Sequence, residues 1–396
     1  MLYFALPLLL KSNYEPLGAI VPIKEDLVET VTVEPQVEPS TVPQVEVSGV
    51  TTQVASESAP NSGVAVTHVK TPTAVKALYM SSWVGGTPKL RSKLVNIINT
   101  TELNSVVLDI KDATGKISFL AHDPKLTELG SPENRIPDID AFIASMHEKG
   151  IYVIGRIAVF QDPYMTALKP EWAIKKKSDG EVWKDYKGLS FLDPSNEDVR
   201  QYTFAIAKES YAHGFDEINF DYIRFPSDGK ISDIAYPNTD GKTTRADIIK
   251  SFWAELKENL DGTGIVTSAD LFGLVTTSND DLGIGQVLEN ALPYFDYVCP
   301  MVYPSHFASG WGGFKNPAEH PYEVIQESMA RAVTRAKAIG EDPLKLRPWL
   351  QDFDLGADYG AVEVRAQIKG TYDDELTSWM LWSAANTYTV GALEKE

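Results

Sequence analysis

Residues 196–225 read NEDVRQYTFAIAKESYAHGFDEINFDYIRF. From Asn196 to His213 the apolar residues recur at three- and four-residue spacing, which is the stripe of an amphipathic helix. Gly214 follows as a usual helix stop. The pattern then changes. Residues 217–225, EINFDYIRF, form a near-continuous apolar run, as a strand buried on both faces should. Helix followed directly by buried strand is one half of a βαβ unit, whose strands run parallel.

Working outward, the same alternation fills the chain from residue 75 onward. Strand-like runs fall at 75–82 (VKALYMSS), 105–111 (SVVLDIK), 151–160 (IYVIGRIAVF), 264–273 (GIVTSADLFG), 297–303 (YVCPMVY), 345–353 (KLRPWLQDF) and 378–384 (SWMLWSA). The intervals carry helical stripes: KLRSKLVNIINTTE, DIDAFIASMHEKG, TRADIIKSFWAELKENL, PYEVIQESMARAVTRAKAIG and a short VEVRAQIKGTYDD. Eight buried strands alternating with helices predict an α/β fold, a closed parallel (β/α)8 TIM barrel. An open doubly wound sheet is the alternative, but no GxGxxG follows the first strand.

The barrel is expected over residues 74–396. Before it, residues 24–73 are rich in Pro, Thr, Val and Glu and show no helical period. Such composition buries too little to offset ordering entropy, so a disordered stalk is expected there. Residues 1–23 open on the apolar MLYFALPLLL. That run is too short for a membrane span, which needs ~20 residues, and it lacks the positive n-region of a signal peptide. It reads as a weak signal, the end of an anchor or a tail without a targeting role. Export, to an extracellular or cell-surface position, is the favoured expectation. Any membrane contact would run through that segment alone.

Composition narrows the function. The 396 residues carry a net charge of −19, which argues against nucleic acid and against a polybasic lipid contact. One cysteine, Cys299, permits no intrachain disulfide, and its CPMVY setting reads as strand core. The six histidines show no HxH or HExxH spacing, so no metal site is indicated, and no cofactor is expected. Eight Trp and 17 Tyr suit both a core and a surface that stacks on sugars.

In a barrel of this kind the site lies at the C-terminal ends of the strands, so polar residues late in apolar strands are informative. These are Asp109 and Lys111, Arg156, Asn219, Asp221 and Arg224, Ser268 and Asp270, Tyr303 and His306, Trp349 and Gln351, and Trp382. Period-two alternation puts Asn219 with Asp221, Asp109 with Lys111, and Trp349 with Gln351 on shared sides. If these sides face the mouth, carboxylates, cations and aromatic faces converge there. Glycosidic cleavage needs that set: one carboxylic acid to protonate the leaving oxygen and one carboxylate as nucleophile or base. Each residue also has a structural alternative. Asp221 could pair with Arg156 or Arg224, Asp270 could cap a turn, Asp109 and Lys111 could pair with each other, Arg224 could anchor its loop, and the two Trp could pack the mouth. The connection holding Trp172, Trp183, Tyr186 and the run Lys175–Lys177 is long enough to pass over the mouth.

The stretches VVLDIKDATG, IGRIAVFQDP, DEINFDYIRFPSDG, SADLFG, CPMVYPSHF, RPWLQDF and WMLWSA together resemble the putative glycosyl hydrolase domain family of the TIM-barrel glycosidase clan. The resemblance runs from Lys76 to about Asn386. It implies a barrel glycoside hydrolase acting on a carbohydrate polymer, an extracellular or cell-wall polysaccharide. By similarity to barrel glycosidases of the α-amylase kind, Asp221 takes the place of nucleophile or base and Asp270 that of the acid/base. Many such enzymes carry Glu at the second position. The Asp here favours the alternative of a non-catalytic carbohydrate-binding module. A metal-assisted hydrolase using Asp109, Asp221 and Asp270 ranks last, because Lys111 and Arg224 already supply positive charge.

Overall fold

A computed structural model describes residues 66–395. The apolar segment 1–23 and most of the expected stalk 24–73 lie outside the described residues. Eight parallel strands close into one barrel: β1 Lys76–Met80, β2 Ser105–Lys111, β3 Tyr152–Ala158, β4 Glu217–Asp221, β5 Val266–Phe272, β6 Tyr297–Met301, β7 Trp349–Gln351 and β8 Trp379–Trp382. Each strand pairs with the next in sequence, and β1 pairs with β8 to close the ring.

The helices lie between strands: α1 Pro88–Asn99, α2 Ile139–His147, α3 Glu197–Ala212, α4 Arg245–Leu260, α5 Leu288–Ala291, α6 Pro321–Ala338 and α7 Ala361–Asp373. Their ends follow local chemistry. Asn196 caps α3 by accepting from Val199 N–H, and Thr244 caps α4 by accepting from Asp247 N–H, satisfying donors that no earlier turn can reach. Gly150 and Gly214 stand at φ of 70° and 102°, where a Cβ would clash with the backbone. Between β5 and β6 there are only a 3-10 turn, Gly273–Thr276, and the single turn α5, where the sequence shows no helical stripe. After β8 a 3-10 turn, Val390–Ala392, stands where an eighth helix would be.

Alternation along the strands divides the apolar residues between two cores. One set, including Leu78, Leu108, Val153, Ile218, Leu271 and Leu350, joins the helix faces in the larger core. The other, including Ala77, Tyr79, Val107, Tyr152, Ile154, Cys299, Trp349 and Met380, fills the barrel interior. Cys299 is a fully buried free thiol there, as its strand context predicts. The run at Lys175–Lys176 pairs antiparallel with Ile234–Ala235. Beneath that ribbon Ile174, Trp183, Phe191 and Ile234 form a small core of their own. The connections after β3 and β4 are thereby tied to each other.

Residues 66–73 run against the N-terminal end of the barrel. Val69 N–H donates to Asp216 Oδ1 at 2.6 Å, and Thr71 Oγ1 lies 3.0 Å from Tyr152 Oη. Tyr152 Oη in turn donates to Glu217 Oε2 at 3.1 Å. Glu217 and Arg347 form an ion pair inside the barrel at 2.8 Å, both fully buried, with the guanidinium 3.9 Å from the centre of the Tyr297 ring. Breaking a buried pair by removing one partner strands a charge. Arg347→Met is therefore expected to cost about 3–5 kcal/mol in urea unfolding. Adding Glu217→Leu to it is expected to restore most of that loss, because an apolar pair needs no desolvation of charge.

Candidate active site

At the opposite end of the barrel the inward residues are polar. The pairings of β2 with β3 and β3 with β4 bring Asp109 level with Arg156, and Arg156 level with Asn219. Asn219 is level with Ser268 on β5. Arg156 is the hub. Its Nη1 donates to Asp109 Oδ1 at 2.7 Å. Its Nη2 and Nε donate to Asp221 Oδ2 at 2.5 and 3.1 Å. Its Nε stands 3.8 Å from Asp270 Oδ2. Asp221 and Asp270 thus share one nitrogen as a neighbour, which keeps them inside the ~9.5 Å limit for carboxylate pairs of glycosidases.

The carboxylates differ in their other partners. Asp221 Oδ1 accepts Tyr222 N–H at 2.6 Å. Tyr222 adopts φ of 53°, a left-handed conformation that costs a bulky residue energy and that clusters at functional sites. Asp270 Oδ1 accepts from Asn219 Nδ2 at 2.9 Å and from Trp349 Nε1 at 2.7 Å. Asp109 Oδ2 accepts from Tyr79 Oη at 2.6 Å. Solvent reaches little of this floor: Asp221 is 5% exposed and Asp270 1%.

Three carboxylates and one guanidinium in such a place cannot all be charged. Burial, reinforced by the Asp221 charge, pushes Asp270 up to about 8. Burial also raises Asp109, although Arg156 opposes it. Burial works against the Arg156 charge too, but Asp221 and Asp109 outweigh it and hold the guanidinium protonated. With Asp270 Oδ1 taken by two N–H donors, Oδ2 is left to carry the proton.

An aromatic wall lines the cluster. Trp382 stacks on Tyr79 with centroids 4.1 Å apart, meets Trp349 edge-on at 5.6 Å, and lies 5.1 Å from the Arg156 guanidinium. Tyr303 is buried, and burial followed by the Asp270 and Asp221 charges raises its hydroxyl well above its ordinary value.

The remaining expected residues sit apart from the carboxylates. Lys111 does not share the side of Asp109. A register shift falls between the two, and the buried ammonium turns to Ala158 O at 2.5 Å and to Asp162 Oδ2 at 2.9 Å. The suggested Asp109–Lys111 pair is replaced by separate partners. Among the described residues Arg224 pairs with no carboxylate; it donates to Phe225 O at 3.0 Å and lies over Phe272 at 4.6 Å, so it anchors its own loop. Gln351 accepts from Ser305 N–H at 3.1 Å and donates to Phe353 O at 2.9 Å, bracing two loops. His306 packs edge-on against Tyr303 at 5.2 Å, and burial lowers it to about 4, which keeps it neutral. Tyr79 was not among the expected residues. Its signal was present, because alternation from Ala77 places Tyr79 inward. Asp112, three residues after Asp109, pairs with Arg135 at 2.6 Å.

A closed parallel barrel with carboxylates gathered at the C-terminal ends of its strands has the site placement of an α/β-barrel enzyme. The chain matches the family described as "Putative glycosyl hydrolase domain" over residues 77–388, and it belongs to that family. Among solved structures it is similar to a hypothetical protein from Ruminiclostridium thermocellum, with 35% identity over 52% of this chain and 98% of the other, at a TM-score of 0.45. The glycoside hydrolase domain of PgaB (BpsB) from Bordetella bronchiseptica has 15% identity over 80% of this chain and 95% of the other, at a TM-score of 0.57. Alpha-L-fucosidase isoenzyme 2 from Paenibacillus thiaminolyticus has 13% identity over 81% of this chain and 48% of the other, at a TM-score of 0.55. These last two likenesses speak for the fold. No curated protein sequence matches the chain.

The raised Asp270 has a consequence for stability. A carboxyl at about 8 in the folded chain and ~3.9 in the unfolded chain binds a proton preferentially in the folded state between those values. Its contribution to stability therefore falls as pH rises through that window and levels off above it. Asp270→Asn keeps an acceptor for both N–H donors and has no proton to lose. Its melting temperature is expected to exceed that of the wild type by a margin that grows from about pH 5 to about pH 9.

Proposed function

We propose that this chain is a glycoside hydrolase that cuts glycosidic bonds of an extracellular or cell-wall polysaccharide with two carboxylates. The reading is carried by the unequal pair around Arg156: Asp221, doubly bonded to a guanidinium, and Asp270, lifted to about 8 beside it. Environments that push two carboxyl groups apart assign one as base and one as acid. Asp270 donates its proton from Oδ2 to the leaving glycosidic oxygen as the bond to the sugar carbon breaks. Asp221 attacks that carbon or takes a proton from the water that does. The negative charge of the pair then passes to Asp270, and Arg156 Nε, 3.8 Å away, is in place to offset it.

Family membership supports the reaction class. Aromatic faces support a carbohydrate polymer as partner. Trp382 and Tyr79 flank the carboxylates. Trp83, directly after β1, is 58% exposed, with the Arg135 guanidinium 4.2 Å from its ring centre. The Pro/Thr/Val/Glu-rich stretch 24–73 supports a place outside the cell or at its surface, as a spacer would have. A second reading, a non-catalytic carbohydrate-binding module, draws on the saturation of Asp221, both of whose oxygens already accept bonds within the chain.

The test is release of reducing ends from a panel of bacterial and plant polysaccharides by the full chain, with Asp221→Asn and Asp270→Asn beside it. The hydrolase reading expects release, and loss of about 10²–10⁴ in kcat for Asp270→Asn. It also expects kcat/KM to fall tenfold per pH unit above about 8, where Asp270 gives up its proton. Binding of one glycan without release, equal in all three proteins, would establish the module instead.

A further inference from the structure

Away from the mouth, three side chains meet that neither core requires. His122 lies in the connection between β2 and α2, Glu209 in the last turn of α3, and His213 at the C-cap of α3. One oxygen, Glu209 Oε1, stands 3.3 Å from His122 Nδ1 and 3.2 Å from His213 Nε2. All three ligand atoms fall within 4.8 Å of one another. We propose that His122, Glu209 and His213 bind a divalent transition-metal ion, zinc by the chemistry of the donors, and that this ion clips the loop after β2 to helix α3.

Four observations carry the assignment. Bonds of ~2.0–2.1 Å to imidazole nitrogen and ~2.0–2.2 Å to carboxylate oxygen, set tetrahedrally, separate ligand atoms by about 3.3–3.5 Å. The two nitrogen-to-oxygen distances, 3.3 and 3.2 Å, are close to that spacing, and the His122 and Asp123 N–H groups hold the Glu209 carboxylate against the loop. The third separation closes by turning His122, whose side chain is 51% exposed. Behind the site, His213 Nδ1 lies 2.6 Å from Asp140 Oδ1. A carboxylate on the far nitrogen of an imidazole fixes the ring and presents the near nitrogen to a metal. The ring itself packs against Phe119, with centroids 4.6 Å apart. Charge points the same way. Glu209 and Asp140 bring two negative charges to the end of α3, where the helix dipole also favours a cation. A protonated His213 offsets one of them; a divalent ion on a neutral His213 offsets both. Two imidazoles and one carboxylate suit zinc rather than calcium or magnesium, and the exposed side leaves a fourth position to water.

The pattern escaped the sequence because His122 comes from a loop far from α3 in the chain. Only Glu209 and His213, one helical turn apart, are neighbours in sequence.

The experiment uses the full chain, stripped with chelator and titrated calorimetrically with zinc chloride. The expected result is one zinc per chain, a higher melting temperature with zinc, and at least a tenfold loss of affinity in both His122→Ala and Glu209→Gln. His122 is exposed, so His122→Ala is expected to melt like the wild type without metal and to lose the zinc-dependent rise. No zinc uptake by the wild type would overturn the proposal. Equal uptake by the wild type and both variants would overturn it too, by placing the ion elsewhere. Neither result depends on whether the barrel mouth cleaves glycans.

Discussion

Arg156 holds Asp109 on one edge of its guanidinium and Asp221 on the other, with Asp270 just beyond Nε. The charge balance of the barrel mouth depends on this one side chain. In a site this buried, an unpaired carboxylate is expensive, and one cation can serve only so many. Asp221 takes two of its N–H groups and Asp109 one. Asp270, without a direct bond to it, is the group that burial and the neighbouring charge drive toward the neutral form. Inequality between chemically identical carboxyl groups therefore arises from a single position on β3.

The barrel makes that arrangement possible by its register. Parallel pairing sets Asp109 level with Arg156, Arg156 with Asn219, and Asn219 with Ser268, so inward side chains of neighbouring strands share a layer. Lower in the same interior, Glu217 and Arg347 pair in full burial. Apolar side chains, among them Val107, Ile154 and Cys299, fill the interior beside these charges. The ribbon joining residues 175–176 to 234–235 ties the connections after β3 and β4 together over a small core of their own.

Much of the fold was legible locally. The eight strand runs, the six longer helical stripes and the stops at Gly150 and Gly214 all follow from periodicity and backbone chemistry within a short window. The single turn α5 was not legible, because four residues carry no period. At the mouth, alternation correctly joined Asn219 with Asp221 and would have found Tyr79. It failed at Lys111, where a register shift breaks the period of two and sends the ammonium to Asp162. It also could not choose between Arg156 and Arg224 as the partner of Asp221. Both are close enough in the pattern, but only Arg156 lies on a strand that pairs with β4.

The sequence by itself determined the eight barrel strands and the longer helices and, apart from Lys111, which face of each strand is polar, because those properties reside in the spacing of neighbouring side chains. Tertiary structure alone decided which carboxylate keeps its proton, which cation serves which anion, and that His122 meets Glu209 and His213. Those outcomes depend on burial and on distances of a few ångströms between residues remote in the chain, and such distances come into being only when the barrel closes.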